Sequence, residues 1–261
     1  MKKHLTKRNT IIFSLGIIFT LVIGISIYLL DSKKSECNIQ GIKLHGNLVT
    51  YKLPDSTEDK TSSEEVIHMI RSANDNENIK VIVIDVDSSG GSLIAGNEID
   101  NAIKHSEKPV IAYIRDLGAS ASYLAISSSS RIFSSLNSEV GSIGVTASYL
   151  NEVTKNEKDG YEYERLVSGK FKDTGAVARR LTNEEREYVM KDLNYNFENF
   201  KQAISDNRGI PIEEVNKLST GATFPGGKAL DLKLVDQIGD LYDVNDYLSE
   251  FIKEPLYMCW E

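Results

Sequence analysis

Histidine runs out early in this chain. Of its 261 residues only His4, His45, His68 and His105 are histidine, and none follows residue 105. A triad in the chain order Ser, His, Asp is therefore closed to any serine beyond that point, while the other orders stay open. His68 and His105 fall in or at the end of amphipathic helical patterns, where structural or surface roles are expected. Cysteine is scarcer still. Cys37 and Cys259 are the two present, which excludes a disulfide framework; free thiols are the default reading, and pairing would need both in an oxidising space. No C-x-x-C or clustered His/Cys spacing offers a metal site, so no metal and no cofactor is expected. Basic charge is also short. The formal charge is −8. Residues 1–36 hold six lysines and arginines against two acids, so residues 37–261 carry −12. An acidic body is unsuited to gripping nucleic-acid phosphates.

What is present reads as an ordinary globular composition, 41% hydrophobic and 26% charged, so disorder is not the default. Ile11 to Leu30 is an uncharged run of 20 residues. As a helix it would reach roughly 30 Å, the thickness of a bilayer core. It lacks an A-x-A-like cleavage site, which favours an uncleaved anchor over a signal peptide. Lys2, Lys3, Lys7 and Arg8 precede the run, against Lys33 and Lys34 after it. The positive-inside rule then predicts a cytoplasmic N-terminus and a body on the outer side of a bacterial cell membrane. The expected layout is a basic tail (1–10), an anchor (11–30), a linker (31–39), a catalytic domain (40–251) and a C-terminal tail (252–261).

Within the body, strand and helix patterns alternate. Ile39 to Leu53 is strand-rich and 55–63 reads as loop. Val66, Ile67, Met69 and Ile70 have helical spacing. Val81-Ile82-Val83-Ile84 is a continuous apolar run suited to a buried parallel strand. A helix over Leu93–Lys104, a strand over Val110–Ile114, a short helix over Ala119–Ile126 and a strand at Ile132-Phe133 follow. Thr182 and Glu185 form a capping-box pattern that starts a long helix, with Gly209 as its stop. A last helix is expected from Tyr242 to Phe251. This pattern predicts an α/β domain with parallel pairing.

Three segments carry chemistry. Asp87-Ser88-Ser89-Gly90-Gly91-Ser92 joins a strand to a helix, and its glycines free backbone N–H groups to face an anion or an oxyanion. No G-K-[ST] follows, so a nucleotide P-loop is not expected. Gly118-Ala119-Ser120-Ala121-Ser122-Tyr123 puts small residues around a serine at the next strand-to-helix junction; taken alone, that serine reads as a helix cap. In Ser168-Gly169-Lys170-Phe171-Lys172-Asp173 a lone lysine reads as solvated, and it serves as a base only if burial beside a hydroxyl strips its proton.

In order, S-x-G-G-S, G-A-S-x-x-Y, G-S-I-G-V (Gly141 to Val145) and S-G-K-x-K-D resemble the signal peptide peptidase A family of serine proteases, peptidase family S49. So does the later run from Thr220-Gly221 through Gly227-Lys228-Ala229-Leu230 to Leu234-Val235-Asp236-Gln237-Ile238-Gly239. The match covers roughly residues 40–245. The resemblance implies a ClpP/crotonase-like α/β fold of superhelical turns, a serine nucleophile at Ser120 and a lysine base at Lys172. It also implies a ring-like homo-oligomer, in which the pair is assembled within one subunit or across two. On this reading the backbone N–H groups of Gly91 and Ala121 hold the oxyanion, and Gly90 and Ser92 flank the substrate. The sequence departs from the family where Ala121-Ser122 replace Gly-Gly, which leaves Ser122 as a rival nucleophile, and where Ser89 replaces proline. Lys170 is the rival base. The expected function is a membrane-anchored serine endopeptidase that degrades cleaved signal peptides or other hydrophobic peptides. The alternatives are a protease of the same fold acting on a membrane protein partner or foreign peptide, an impaired oligomeric scaffold, and acyl-CoA chemistry on a crotonase-like fold.

Overall fold

A computed structural model describes residues 37–53 and 58–260. The expected anchor and its orientation lie outside the described residues, among which no helix is long and apolar enough to cross a membrane.

The body is built on one mostly parallel sheet. β1 (Ile39–Val49), β3 (Val81–Gly91), β4 (Val110–Ala119) and β5 (Arg131–Ser134) lie side by side. The short β2 (Lys60–Ser62) flanks one end of the row and β8 (Gln237–Ile238) the other. β6 (Glu139–Gly141) pairs parallel with β4 and antiparallel with β7 (Thr223–Pro225). Val81 to Ile84 is fully buried because both faces of the sheet are covered, as a parallel sheet requires. On one face Ile42, Leu44, Ile82, Ile84, Ala112 and Ile114 meet a layer of helices. These are α1 (Ser63–Asp75), α2 (Leu93–Lys104), α3 (Ala121–Ile126) and the end of α5 (Asn183–Arg208). On the other, Ile39, Val81, Val83, Ile111 and Phe133 pack on Val244 and Leu248 of α8 (Leu241–Ile252). The helix starts follow sequence chemistry. Ser62 and Ser92 cap α1 and α2 with their side chains. Thr182 and Glu185 form the reciprocal capping box at α5, whose end is Gly209 in a left-handed conformation.

Two expectations need revision. The strands run past their apolar cores: β3 continues through the Gly-Gly turn and β4 through Ala119. The register shifts between His45 and Asn47 and between Val86 and Ser88, and β4 pairs with β5 over Ile111–Ile114 but with β6 over Leu117–Ala119. Bulges of this kind bend a sheet, so the far ends of the strands turn away as a leaf of the same sheet, and that leaf holds the Gly90-Gly91 turn and the end of β4. The second revision concerns the cysteines. The default of free thiols is overturned: Cys37 and Cys259 form a disulfide with their Cα atoms 5.9 Å apart. Residues 252–261 are more than a tail, since β9 (Met258–Trp260) runs parallel to the start of β1 with Gln40 opposite Cys259. That register brings Cys37, just before β1, alongside it.

Candidate active site

Ser120 sits where β4 turns into α3. Its backbone has φ 54° and ψ −127°, a conformation that costs an L-residue on the order of 1–3 kcal/mol. The turn is held from both sides. The Ser120 N–H donates to Gly141 O at 2.7 Å, and its carbonyl accepts from Leu124 N at 3.0 Å. Ser120 occupies the N-cap position, yet its side chain makes no capping hydrogen bond. The cap role that the residue type alone suggests is not the one it plays.

The neighbouring serine is spent. Ser122 is fully buried, and its hydroxyl donates to Ser88 O at 2.7 Å and Ala119 O at 2.8 Å. Tyr123 is also fully buried and donates to Leu234 O at 2.8 Å; burial pushes its phenol above the ordinary tyrosine range. That bond ties the serine helix to the Leu234-Val235-Asp236 segment. Asp236 in turn accepts from Ile132 N at 2.8 Å and from Arg208 at 2.6 Å. These late motif residues are structural.

The Gly-Gly turn lies directly against the serine. Gly90 has φ 102° and Gly91 φ 145°, and a Cβ on Gly90 would come within 2.9 Å of both Ala121 N and Ser120 Cβ. Only glycine allows this approach. It sets the amide of Ala121, one of the two expected oxyanion donors, against Gly90, the residue before the other, Gly91. Ser88 braces the turn, accepting from Gly90 N at 3.2 Å while donating to Gly46 O at 2.6 Å. Ser92 is placed differently from its expected role. It accepts from Ala95 N at 3.4 Å as the cap of α2 and faces a recess formed with Val49–Leu53, not the Ser120 cleft.

Ser120 opens into a cleft of about 420 Å³. Val145, Met190, Leu193 and Phe197 give it an apolar wall, and Ser142, Gly144 and Ser219–Gly221 a polar one. Among the described residues no histidine lines it. The α5 wall and Ser142 were not singled out as site residues in the sequence. Ser142, at φ 50°, is fixed by its N–H to Ala222 O at 3.0 Å and its hydroxyl to Gly221 O at 2.9 Å. The G-S-I-G-V run carried that signal, but without a partner in sequence to say what it faced.

Lys172 is not among the cleft residues. It is exposed on a turn closed by its own N–H to Gly169 O at 3.1 Å, and its side chain makes no ion pair or hydrogen bond among the described residues. Lys170, the rival, is paired with Glu184. The turn projects from the body on a long arm: between Thr146 and Asn199 the one buried residue is Glu185. The arm is held by charge. Arg165 and Arg179 both grip Asp173, and Arg179 also pairs with Glu185. Hydrogen bonds from Arg165 and Arg179 hold the Asp173 carboxyl well below the usual carboxylate range, and Arg179 holds Glu185 at about 2.

Carboxylates depressed in this way stabilise the folded arm above their unfolded values, 3.8 for Asp173 and 4.5 for Glu185. That support is lost as pH falls toward the folded value. Hydrogen exchange over residues 168–186, corrected for intrinsic rate, should show protection lost between about pH 4.5 and pH 2. Equal protection at both ends would contradict this.

A family profile described as Peptidase family S49 matches residues 102–253, more than half of the chain. The chain belongs to peptidase family S49. A second profile, described as Clp protease, matches residues 50–140, the stretch from just after β1 into β6 that includes β3, β4, β5 and the Gly-Gly turn. Among curated relatives, a Methanocaldococcus jannaschii protein whose name carries the word protease is 28% identical over 193 residues. That stretch is 73% of this chain and 62% of that one. Serine protease SPPA, chloroplastic, of Arabidopsis thaliana is 29% identical over 204 residues, 77% of this chain and 30% of its own. Protease 4 of Haemophilus influenzae is 22% identical over 230 residues, 87% and 36% respectively. The S49 chain described here thus spans less than two thirds of the length of each.

Proposed function

We propose that this S49 chain is a serine endopeptidase in which Ser120 is the nucleophile and Lys172, reaching in from a neighbouring copy, is the base. The observation that carries the reading is the Ser120 turn. A strained serine, relieved of any capping duty, opens into an apolar cleft with the Gly90-Gly91 turn against the next amide. A strained strand-to-helix turn that exposes a hydroxyl beside backbone donors suits acyl transfer. Neutral Lys172 accepts the Ser120 proton as Oγ bonds to the peptide carbonyl carbon. The N–H groups of Gly91 and Ala121 receive the oxyanion, each donor contributing about 3–4 kcal/mol of transition-state stabilisation. The C–N bond then breaks, the proton passes to the leaving amine, and water hydrolyses the acyl-enzyme.

Assembly across copies is supported by the position of Lys172 outside its own cleft and by the arm that carries it. Leu150 and Leu166 are each 85% exposed there, with Tyr161, Tyr188 and Tyr195 also exposed, an apolar surface of the kind that another subunit covers. The apolar cleft wall favours aliphatic side chains on the substrate. With the 11–30 run as a membrane anchor, hydrophobic remnants of signal peptides are the fitting substrates. The Cys37–Cys259 disulfide supports an outward-facing body, because such bonds persist in oxidising compartments.

Mixing two inactive variants tests the assembly. Ser120→Ala and Lys172→Ala should each be inactive alone. Reassembled together at equal amounts, they should regain about one quarter of wild-type hydrolysis, since random neighbours in a closed ring pair the two intact residues at that frequency. No recovery would place the pair within one subunit or remove Lys172 from the chemistry.

A further inference from the structure

Lys172 is followed directly by a carboxylate, which poses a problem for a base. An uncompensated negative charge beside an amine keeps it protonated. The structure answers with two guanidiniums. We propose that Arg179, aided by Arg165, is a positioning residue for Lys172: the pair fixes the turn that carries the lysine and cancels the charge of Asp173 next to it. The inference rests on the reading of Lys172 as the base.

The geometry is two-sided. Arg165 Nε donates to Asp173 Oδ2 at 2.9 Å and Nη2 to Oδ1 at 2.6 Å, while Arg179 Nε donates to Oδ2 at 2.9 Å and Nη2 to Oδ1 at 3.0 Å. Both carboxylate oxygens are thus held by both arginines. The same guanidiniums hold the backbone on either side of the lysine: Arg165 Nη2 donates to Lys170 O at 3.0 Å and Arg179 Nη2 to Asp173 O at 3.1 Å. Phe171 stacks on Tyr188 of α5 with ring centroids 4.7 Å apart, and Arg179 Nη1 donates to Glu185 Oε2 at 2.7 Å, so the turn is tied to the helix start.

The turn that carries Lys172 and the segments that grip it hold several charged and titratable groups. On its own turn they are Lys170 and Asp173, and on the flanking chain Arg165, Arg179 and the exposed Arg180. On α5 they are Glu184, Glu185 and Tyr188. Lys170 pairs with Glu184, and the two arginines offset Asp173 and Glu185, so each of these three carboxylates has a cationic partner. Remove Arg179 and one negative charge returns to the side of Lys172. Lysine at 179 would keep the charge but lose the bidentate grip.

The test is the pH–rate profile of peptide hydrolysis by the assembled full chain, with thermal melts to verify folding. Arg179→Gln should move the rising limb up by about half a unit to one unit, the sign and scale of an added neighbouring charge partly screened by water. Arg179→Lys should lose rate several-fold with the limb in place. Asp173→Asn should move the limb down, and adding it to Arg179→Gln should return the limb toward the wild-type position. If Arg179→Gln fails to fold, Asp173→Asn alone carries the test. A uniform loss of rate with an unmoved limb in both variants would overturn the proposal and leave Lys172 as the base. Full activity in Lys172→Ala would remove that base and this inference with it.

Discussion

Ser120→Ala should reduce peptide hydrolysis by about 10⁴-fold or more, the scale seen when a nucleophile that acts as a unit with its base is deleted. The loss should appear in kcat with little change in stability. The replacement removes one hydroxyl that caps nothing, and alanine has the same backbone difficulty at φ 54° as serine. Ser122→Ala should behave in the opposite way. It leaves Ser88 O and Ala119 O without the donor they now share, so stability should fall by about 1–2 kcal/mol while most of the activity is retained. A fluorophosphonate probe followed by peptide mapping should mark residue 120. A label on residue 122, or an active Ser120→Ala, would dismantle the mechanism, because the buried hydroxyl would then have to leave both of its acceptors to react.

The second large effect is expected at the disulfide. Cys37 and Cys259 are separated by 222 residues. Closing so long a loop restricts the unfolded chain, by roughly 5 kcal/mol on the chain-entropy account, with native bonds more commonly contributing 2–5 kcal/mol. The paired Cys37→Ser/Cys259→Ser variant should therefore unfold at lower urea with activity per folded molecule unchanged, because β9 lies on the α8 side of the sheet and away from the Ser120 leaf. Unchanged stability would mean that the pairing of β9 with β1 holds without the bond.

The parts of this molecule that were legible in its sequence are those decided by near neighbours. The capping box at Thr182 and Glu185, the stop at Gly209, the apolar strand at Val81–Ile84 and the serine at a strand-to-helix junction are each set within a few residues. The features that escaped are decided across long separations. Glycine and serine do not announce a strand, so the continuation of β3 to Gly91 depends on Leu48 lying opposite it. The three-residue β9 has no pattern of its own and exists because β1 is there to receive it, which is also why the cysteine pairing was invisible. Ser120 and Ser122 have nearly the same local sequence, and burial beneath Ser88 is what separates them. Lys172 was expected beside Ser120, within one subunit or across two. Nothing in its heptapeptide neighbourhood reveals that the arm carrying it leaves the body almost without a core of its own.

The crosslink has a topological consequence for that arm. Because it joins residue 37 to residue 259, the domain is covalently a ring, and a single backbone scission anywhere between them leaves one molecule and not two. A cut in the exposed stretch around Tyr161–Leu166 would pass unnoticed on a non-reducing gel and appear as two fragments only after thiol treatment. A nick in that exposed stretch would thus leave both halves joined through Cys37 and Cys259.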